Sequence, residues 1–266
     1  MQSVIERIES VPGSFVLKQE LSSSSITKIF LCIFNDIKSV IRFDLPVASQ
    51  LGVDRQNEIN ILHSINHLEL APEILYSNIQ AGILIWKHIS GSEPHFTQEK
   101  LNPNSLHDLG ASLSSLHSHL MPRNAVDIFS NSMVLYQSLL ESSYEKLLFN
   151  KAITLYKKLE KDGSTKVFSH NDLHRKNMLW DKKYYFLDWE YSGLNHPCFD
   201  IASLVKSFQL SQSQINELSC GYKANKHIFH MDTLNPWIQF IEYLEEIWEI
   251  SVTKLLNKQA MKDFLD

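Results

Sequence analysis

Two acids and an amide stand at fixed spacing in the middle of this chain, and their setting demands a β-hairpin inside a half that otherwise reads as helical. The first run is Ser169-His170-Asn171-Asp172-Leu173-His174-Arg175-Lys176-Asn177, and the second is Phe186-Leu187-Asp188-Trp189-Glu190. Between them, Met178-Leu179-Trp180 and Tyr184-Tyr185-Phe186-Leu187 are short, apolar and β-prone, and Asp181-Lys182-Lys183 is polar and turn-like. The pair therefore reads as a hairpin. If Trp180 faces Tyr184, Asn177 falls opposite Leu187, beside Asp188. Facing Cβ atoms in such a ladder lie about 5 Å apart, close enough for two oxygen ligands to share a magnesium ion that binds oxygen at about 2.0–2.1 Å. Asp172 lies in the loop entering the hairpin, free to face another reactant.

This set is what phosphoryl transfer from a metal-bound nucleotide requires. One carboxylate receives the proton of the acceptor hydroxyl, while a second carboxylate and an amide hold the metal on the phosphates. A lone Asp or Asn in a surface loop would carry no such meaning. The joint pattern, with an apolar strand before each acid, does. Ser169, His170 and Asp172 do not make a hydrolase triad, because neighbours in one loop cannot reach that geometry and no G-x-S-x-G elbow is present.

At 266 residues the chain fits one large domain or two lobes. A hydrophobic content of 44% with 21% charged residues supports a packed interior and argues against disorder. The formal charge is −5 with no dense basic block, which disfavours nucleic acid and anionic membrane as partners. Cys32, Cys198 and Cys220 are scattered and odd in number, as expected in a reducing compartment. No apolar run approaches the roughly 20 residues of a membrane span, and the first residues lack the basic start and apolar stretch of a signal peptide. The expectation is a cytoplasmic protein, monomeric or homodimeric.

The first part reads β-rich around one helix. Strands are expected over 14–21, 26–34, 39–43, 74–76 and 82–86, and a helix over 54–68 with Ile59, Leu62 and Ile65 at helical spacing. Punctuation from His88 to Pro94 marks a hinge. Beyond it, Asn102 caps and Pro103 opens a helix whose stripe is Leu106, Leu109, Leu113, Leu116 and Leu120. Residues 131–161 read as one broken helix or two, and 197–208, 211–226 and 236–256 as further helices. The expected fold is α+β and divides at residue 87: a β-rich lobe over 1–87 and a mainly helical lobe over 88–266.

His170-Asn171-Asp172-Leu173-His174-Arg175-Lys176-Asn177-Met178-Leu179 resembles the catalytic loop of the aminoglycoside phosphotransferase and choline kinase superfamily, and Leu187 to Gly193 resembles its metal segment. Val40-Ile41-Arg42, Arg55-Gln56-Asn57-Glu58, Ile85 to Gly91, Leu109 to His117 and His196 to Ala202 resemble other pieces of that family in its order, and V-I-R with D-W-E-Y is most similar to the choline, ethanolamine and thiamine kinases. The resemblance implies a two-lobed, protein-kinase-like fold that uses ATP and Mg2+. It implies Asp172 as the base and Asn177 and Asp188 as metal ligands. Arg42 would replace the usual strand lysine, touch the phosphates and pair with Glu58. A planar, permanently charged guanidinium suits that task. Trp86 and His88 fall at the nucleotide-binding hinge. The family's phosphate loop is usually Gly-rich, whereas here Ser22, Ser23, Ser24 and Ser25 precede Ile26 and Thr27 with no glycine. Serine hydroxyls would then donate to phosphate in place of closely approaching backbone amides.

By the same resemblance His170 braces the loop rather than moving protons. Asp200 is expected to cap or brace the hairpin. His63 and His67 share a helix face but have no third ligand nearby in sequence. The acceptor is expected to be a small alcohol. A cationic one would seek acids and aromatic faces, and Glu190, Tyr191 and Trp248 are the candidates. Trp237, Phe240, Leu244, Ile247 and Ile250 repeat at helical spacing and read as core. An aminoglycoside or sugar phosphotransferase, and a catalytically silent nucleotide-binding module, remain as alternatives.

Overall fold

The computed structural model describes residues 4–96, 103–120, 128–223 and 226–265. Five antiparallel strands form one sheet: β1 (Phe15–Ser23), β2 (Thr27–Phe34), β3 (Ile37–Asp44), β4 (Ile74–Asn78) and β5 (Ile83–Lys87), in the order β1-β2-β3-β5-β4. Alternation along β3 separates two faces. Ile41 and Phe43 pack with Cys32, Phe34, Ile83 and Ile85 on one side. Val40 and Arg42 fall on the other, level with Trp86 and Leu84 of β5. An arginine on a buried sheet face needs partners, and α3 (Arg55–Ser64) supplies them. Asp54 caps that helix by accepting the Asn57 N–H at 3.0 Å.

Two short helices were not legible in the pattern. α1 (Val4–Glu9) covers the apolar sheet face with Ile8. Its Arg7 donates to the carbonyls of Asp44 and Gly82 and lies 5.0 Å over the Phe43 ring. α2 (Pro46–Gln50), opened by its proline, places Val47 and Ala48 against Val252 and Leu255 from the far end of the chain.

The remainder is mainly helical: α4 (Pro103–His117), α5 (Ile128–Leu139), α6 (Ser143–Leu159), α7 (Pro197–Phe208), α8 (Gln212–Tyr222) and α9 (Met231–Leu265). Two small ladders are set within it. β6 (Val167–Ser169) pairs with β9 (Gly193–Asn195), and β7 (Met178–Trp180) pairs with β8 (Tyr184–Phe186). The second is the expected hairpin, with Trp180 facing Tyr184. The first was not foreseen, because three-residue strands separated by a hairpin leave no readable alternation.

Several expectations need correction. Leu106, Leu109, Leu113 and Leu116 are buried, but the helix ends at His117 and Leu120 is 89% exposed. The cap at Asn102 lies outside the described residues. Residues 131–161, by contrast, do form two helices, one of the two readings the pattern allowed, and a reciprocal Ser142–Glu145 capping box starts the second. The last helix begins at Met231, so Pro236 sits inside it rather than opening it. The aromatic stripe of that helix is core as expected, with Trp237, Phe240 and Ile247 buried. Among the described residues no helix is long and apolar enough to cross a membrane.

Candidate active site

The hairpin register decides the site. Beyond the Met178↔Phe186 pair, Leu187 N–H donates to the Asn177 carbonyl at 2.8 Å, which brings Asn177 beside Asp188. The Asn177 Nδ2 donates to Asp172 Oδ2 at 2.7 Å and to the Asp172 carbonyl at 3.1 Å. That orientation turns the amide nitrogen toward the first acid and leaves its oxygen for another partner. Asp172, Asn177 and Asp188 therefore come together as the spacing suggested. His174 Nε2 also approaches Asp172 Oδ2, at 3.5 Å, while its Nδ1 accepts the Lys176 N–H. Burial opposes the charged imidazole, but the Asp172 carboxylate outweighs it and raises the His174 pKa.

Asp188 adopts φ +62°, and its Oδ1 is buried without a hydrogen-bond donor, with Arg42 3.8 Å away. Burial raises its pKa, Arg42 opposes, and the nearby Glu58 and Asp172 charges add to the rise. A carboxylate with an unsatisfied oxygen next to a free amide oxygen is a hard-oxygen donor set. It fits Mg2+, which takes one or two protein oxygens and completes its shell with phosphates and waters.

Arg42 grips Glu58 with a bidentate pair, 2.7 Å to Oε1 and 2.6 Å to Oε2, in a setting where both are almost fully buried. Burial alone would push the Glu58 carboxyl up. The Arg42 charge and hydrogen bonds, helped by Arg55, instead hold it below its usual value. Sequence reasoning missed the rest of this network. Asp44 Oδ1 lies 3.0 Å from the Nε of Arg42 and of Arg55 as an ion pair, and Arg55 Nη1 reaches Glu58 at 2.9 Å and Glu190 at 2.5 Å. The signal available was Arg55 three residues before Glu58 on one helix face.

Glu190 is thus turned away from the role expected for it. It is 7% exposed and bonded to Arg55, not presented as a free anion to an acceptor. Burial, then the Asp188 charge, raises its pKa, with Arg55 opposing. Tyr191 and Trp248 do come together, since Trp248 Nε1 donates to the Tyr191 hydroxyl at 3.0 Å. Both pack against the apolar cluster that includes Ile26, Val47 and Val252.

A cavity of about 40 Å³ lies between the sheet, α3 and the metal segment. Arg42, Glu58 and Asp188 form its polar end, and Leu62, Ile74 and Trp86 line its apolar end. Trp86 is therefore in the cleft wall. His88 lies one step beyond, its amide on the Lys38 carbonyl at 3.0 Å. The linker that follows is pinned to the hairpin by reciprocal Ser92–Trp180 bonds of 3.1 and 2.8 Å. In the serine run, Ser24 turns inward. Its Oγ accepts the N–H groups of Ile26 and Thr27 at 3.2 and 3.0 Å, so that hydroxyl and those amides close the β1–β2 turn. Ser23 and Ser25 keep hydroxyls for other partners.

The loop is braced from behind. Asp200 accepts the His170 and Asn171 N–H groups at 2.8 Å each, and His117 bridges Asp200 to the Tyr222 hydroxyl. Asp200 therefore holds the loop rather than the hairpin. The His170 ring is fully buried, 4.6 Å from Trp189 and 6.2 Å from Phe186, and acts as a packing wedge.

Comparison with known proteins follows this geometry. LicA of Haemophilus influenzae is 30% identical over 164 residues, covering 57% of this chain and 47% of LicA. Human ethanolamine kinase 2 is 26% identical over 222 residues, covering 77% of this chain and 53% of that protein. The chain thus spans about half the length of these curated relatives. The crystal structure of choline kinase LicA from Streptococcus pneumoniae superimposes with a TM-score of 0.75 at 19% identity, covering 90% of this chain and 86% of that one. The fold is accordingly the two-lobed, protein-kinase-like α+β arrangement. The sequence profile of the phosphotransferase enzyme family, APH, matches residues 6–237, and the chain belongs to that family.

Proposed function

We propose that this chain is an ATP-dependent kinase that phosphorylates the hydroxyl of a small cationic alcohol of the choline, ethanolamine or thiamine type. The observation that carries the reading is the convergence of Asp172 and Asn177 beside Asp188, which lines the cavity with Arg42 and Glu58. In this reading residues 1–87 hold the nucleotide and residues 88–266 carry the catalytic loop and acceptor site. Arg42, kept in place by Glu58, faces the phosphates, and Ser23 and Ser25 offer hydroxyls to them. Trp86 and His88 flank the base.

Asp172 orients the acceptor hydroxyl and takes its proton. The hydroxyl oxygen forms the new bond to the γ-phosphorus as the bond to the bridging oxygen breaks and ADP departs. Asn177 Oδ1 and Asp188 would hold Mg2+, which when bound neutralises charge on the phosphates. Tyr191 and Trp248 present aromatic faces to the cationic end of the acceptor. The Asp172 carboxylate, which Asn177 orients, adds a negative charge that favours a cationic acceptor. The name of one relative, ethanolamine kinase 2, points the same way. A cytoplasmic setting, where ATP is available and the free thiols of Cys32, Cys198 and Cys220 stay reduced, belongs to the same reading.

The test is ATP turnover against choline, ethanolamine, thiamine, aminoglycosides and simple sugars, with and without Mg2+. Asp172→Asn is expected to lower kcat by about 100-fold or more while nucleotide binding persists. Turnover of aminoglycosides alone would replace the acceptor class. Mg2+-dependent ATP binding with no product on any alcohol would make the chain a silent nucleotide-binding module.

A further inference from the structure

The β6–β9 ladder ends at Ser169↔Gly193. Continued by the same register, it sets His170 opposite Ser192, Asn171 opposite Tyr191 and Asp172 opposite Glu190. The backbone cannot carry it there. Asn171 has φ +67°, and its N–H turns away to Asp200. The side chain supplies the missing rung instead. Asn171 Nδ2 donates to the Tyr191 carbonyl at 2.8 Å, and its Oδ1 accepts Asn195 Nδ2 at 2.7 Å. The Asn195 Oδ1 in turn accepts the His196 N–H at 2.7 Å, and Asn195 is wholly buried.

Few residues meet these demands together. Asparagine tolerates the left-handed conformation and carries both donors and an acceptor on a short side chain. Aspartate at this position would bring a second acceptor against the Tyr191 carbonyl. Glycine would keep the turn and lose the rung. Tyr191 is consequently held at both ends, its carbonyl by Asn171 and its hydroxyl by Trp248.

We infer that Asn171, backed by Asn195, is a positioning residue that sets the register between the base Asp172 and the acceptor wall at Tyr191. It thereby fixes how deep an alcohol must sit for its hydroxyl to meet the carboxylate. The inference rests on the kinase reading above, in that it takes Tyr191 as acceptor wall and Asp172 as base. It concerns only acceptor placement, because the rung touches neither Arg42 nor the cleft wall at Trp86.

The experiment uses Asn171→Gly, which preserves the turn because glycine adopts positive φ freely, and Asn195→Ala, which keeps Asn171 but removes its backing. Both are measured for the two KM values, kcat and amide hydrogen exchange across residues 189–196. The expected result is an acceptor KM raised roughly tenfold or more, as for a misplaced reactant, with the ATP KM within about twofold. Exchange of the 191–195 amides should rise in both variants. An acceptor KM that stays put, or that moves in step with the ATP KM, overturns the inference. Should the wild-type protein phosphorylate no alcohol, the kinase reading fails. The exchange measurement then decides the rung alone, and unchanged exchange in both variants refutes it.

Discussion

Arg42 and Arg55 share two acids in a closed square: both reach Glu58, and both reach Asp44 Oδ1. The Nη1 atoms that bond Glu58 also extend the network, Arg42 Nη1 lying 3.8 Å from Asp188 and Arg55 Nη1 2.5 Å from Glu190. Such a buried network is costly to assemble and still costlier to break, because the partner left behind remains charged and desolvated. Glu58→Gln keeps the shape and removes the charge. It is expected to destabilise the fold by about 3 kcal/mol, measured by chemical denaturation, and to weaken ATP binding as Arg42 loses its fixed orientation. An unchanged denaturation midpoint would mean that Asp44 alone suffices to hold both arginines. Half of this network was legible. Arg42 and Glu58 occur in the order that a strand–helix pair requires, and the Asp172–Asn177–Asp188 set follows from a hairpin, which is a local structure. Arg55–Glu190 joins positions 135 residues apart, with no periodicity to announce it. The same distance hid the true direction of Glu190.

The elements behind the loop are held at unusually close range. A Cβ at Gly110 of α4 would lie 2.0 Å from the Leu218 carbonyl oxygen of α8, and one at Gly221 would lie 1.8 Å from the His107 carbonyl oxygen of α4. The two helices therefore touch backbone to backbone. Their contact places Tyr222, next to Gly221, under His117, and His117 under Asp200. Gly221→Ala cannot be absorbed by a side-chain rotation, since the neighbours are backbone atoms. It should cost about 1–3 kcal/mol as an overpacked contact and lower kcat by displacing the brace under His170 and Asn171. A thermal melt with a turnover assay checks both, and a variant as active as the parent would show that α8 does not position the loop. The leucine stripe of α4 was legible as core because its period is helical. The glycine crossing was not, since a glycine in a helix says nothing about which backbone approaches it. Leu120 was misread because the pattern continued past the residue at which the helix stops.

At the scale of the molecule, the sheet part and the helical part are stitched at separate seams. The linker is pinned to the hairpin at Ser92 and Trp180, Arg55 reaches Glu190, and α2 lies against the far end of α9. The last seam depends on where α9 runs, and Lys254 fixes that. It donates to the Leu139 carbonyl at 3.0 Å and to Glu145 at 2.7 Å, two residues from Val252 and one from Leu255 in the apolar seam. The Lys254 hydrogen bond, with backbone N–H groups of Glu141 and Ser142, lowers the Glu145 pKa from 4.5 to about 2. A carboxyl depressed in the folded state contributes stability that is fully present above its unfolded value, and this stability disappears as pH falls toward the folded value. Glu145→Gln is therefore expected to lower the thermal midpoint at neutral pH. The gap to the parent should stay constant down to about pH 5 and close steadily below it, because the parent loses the charge there while the variant has none to lose. Midpoints measured from about pH 7 to about pH 3 provide the check. A gap that does not narrow on acidification would show that Lys254 draws its position from Leu139 and the apolar seam, and that the charge of Glu145 contributes nothing to how the two parts are held.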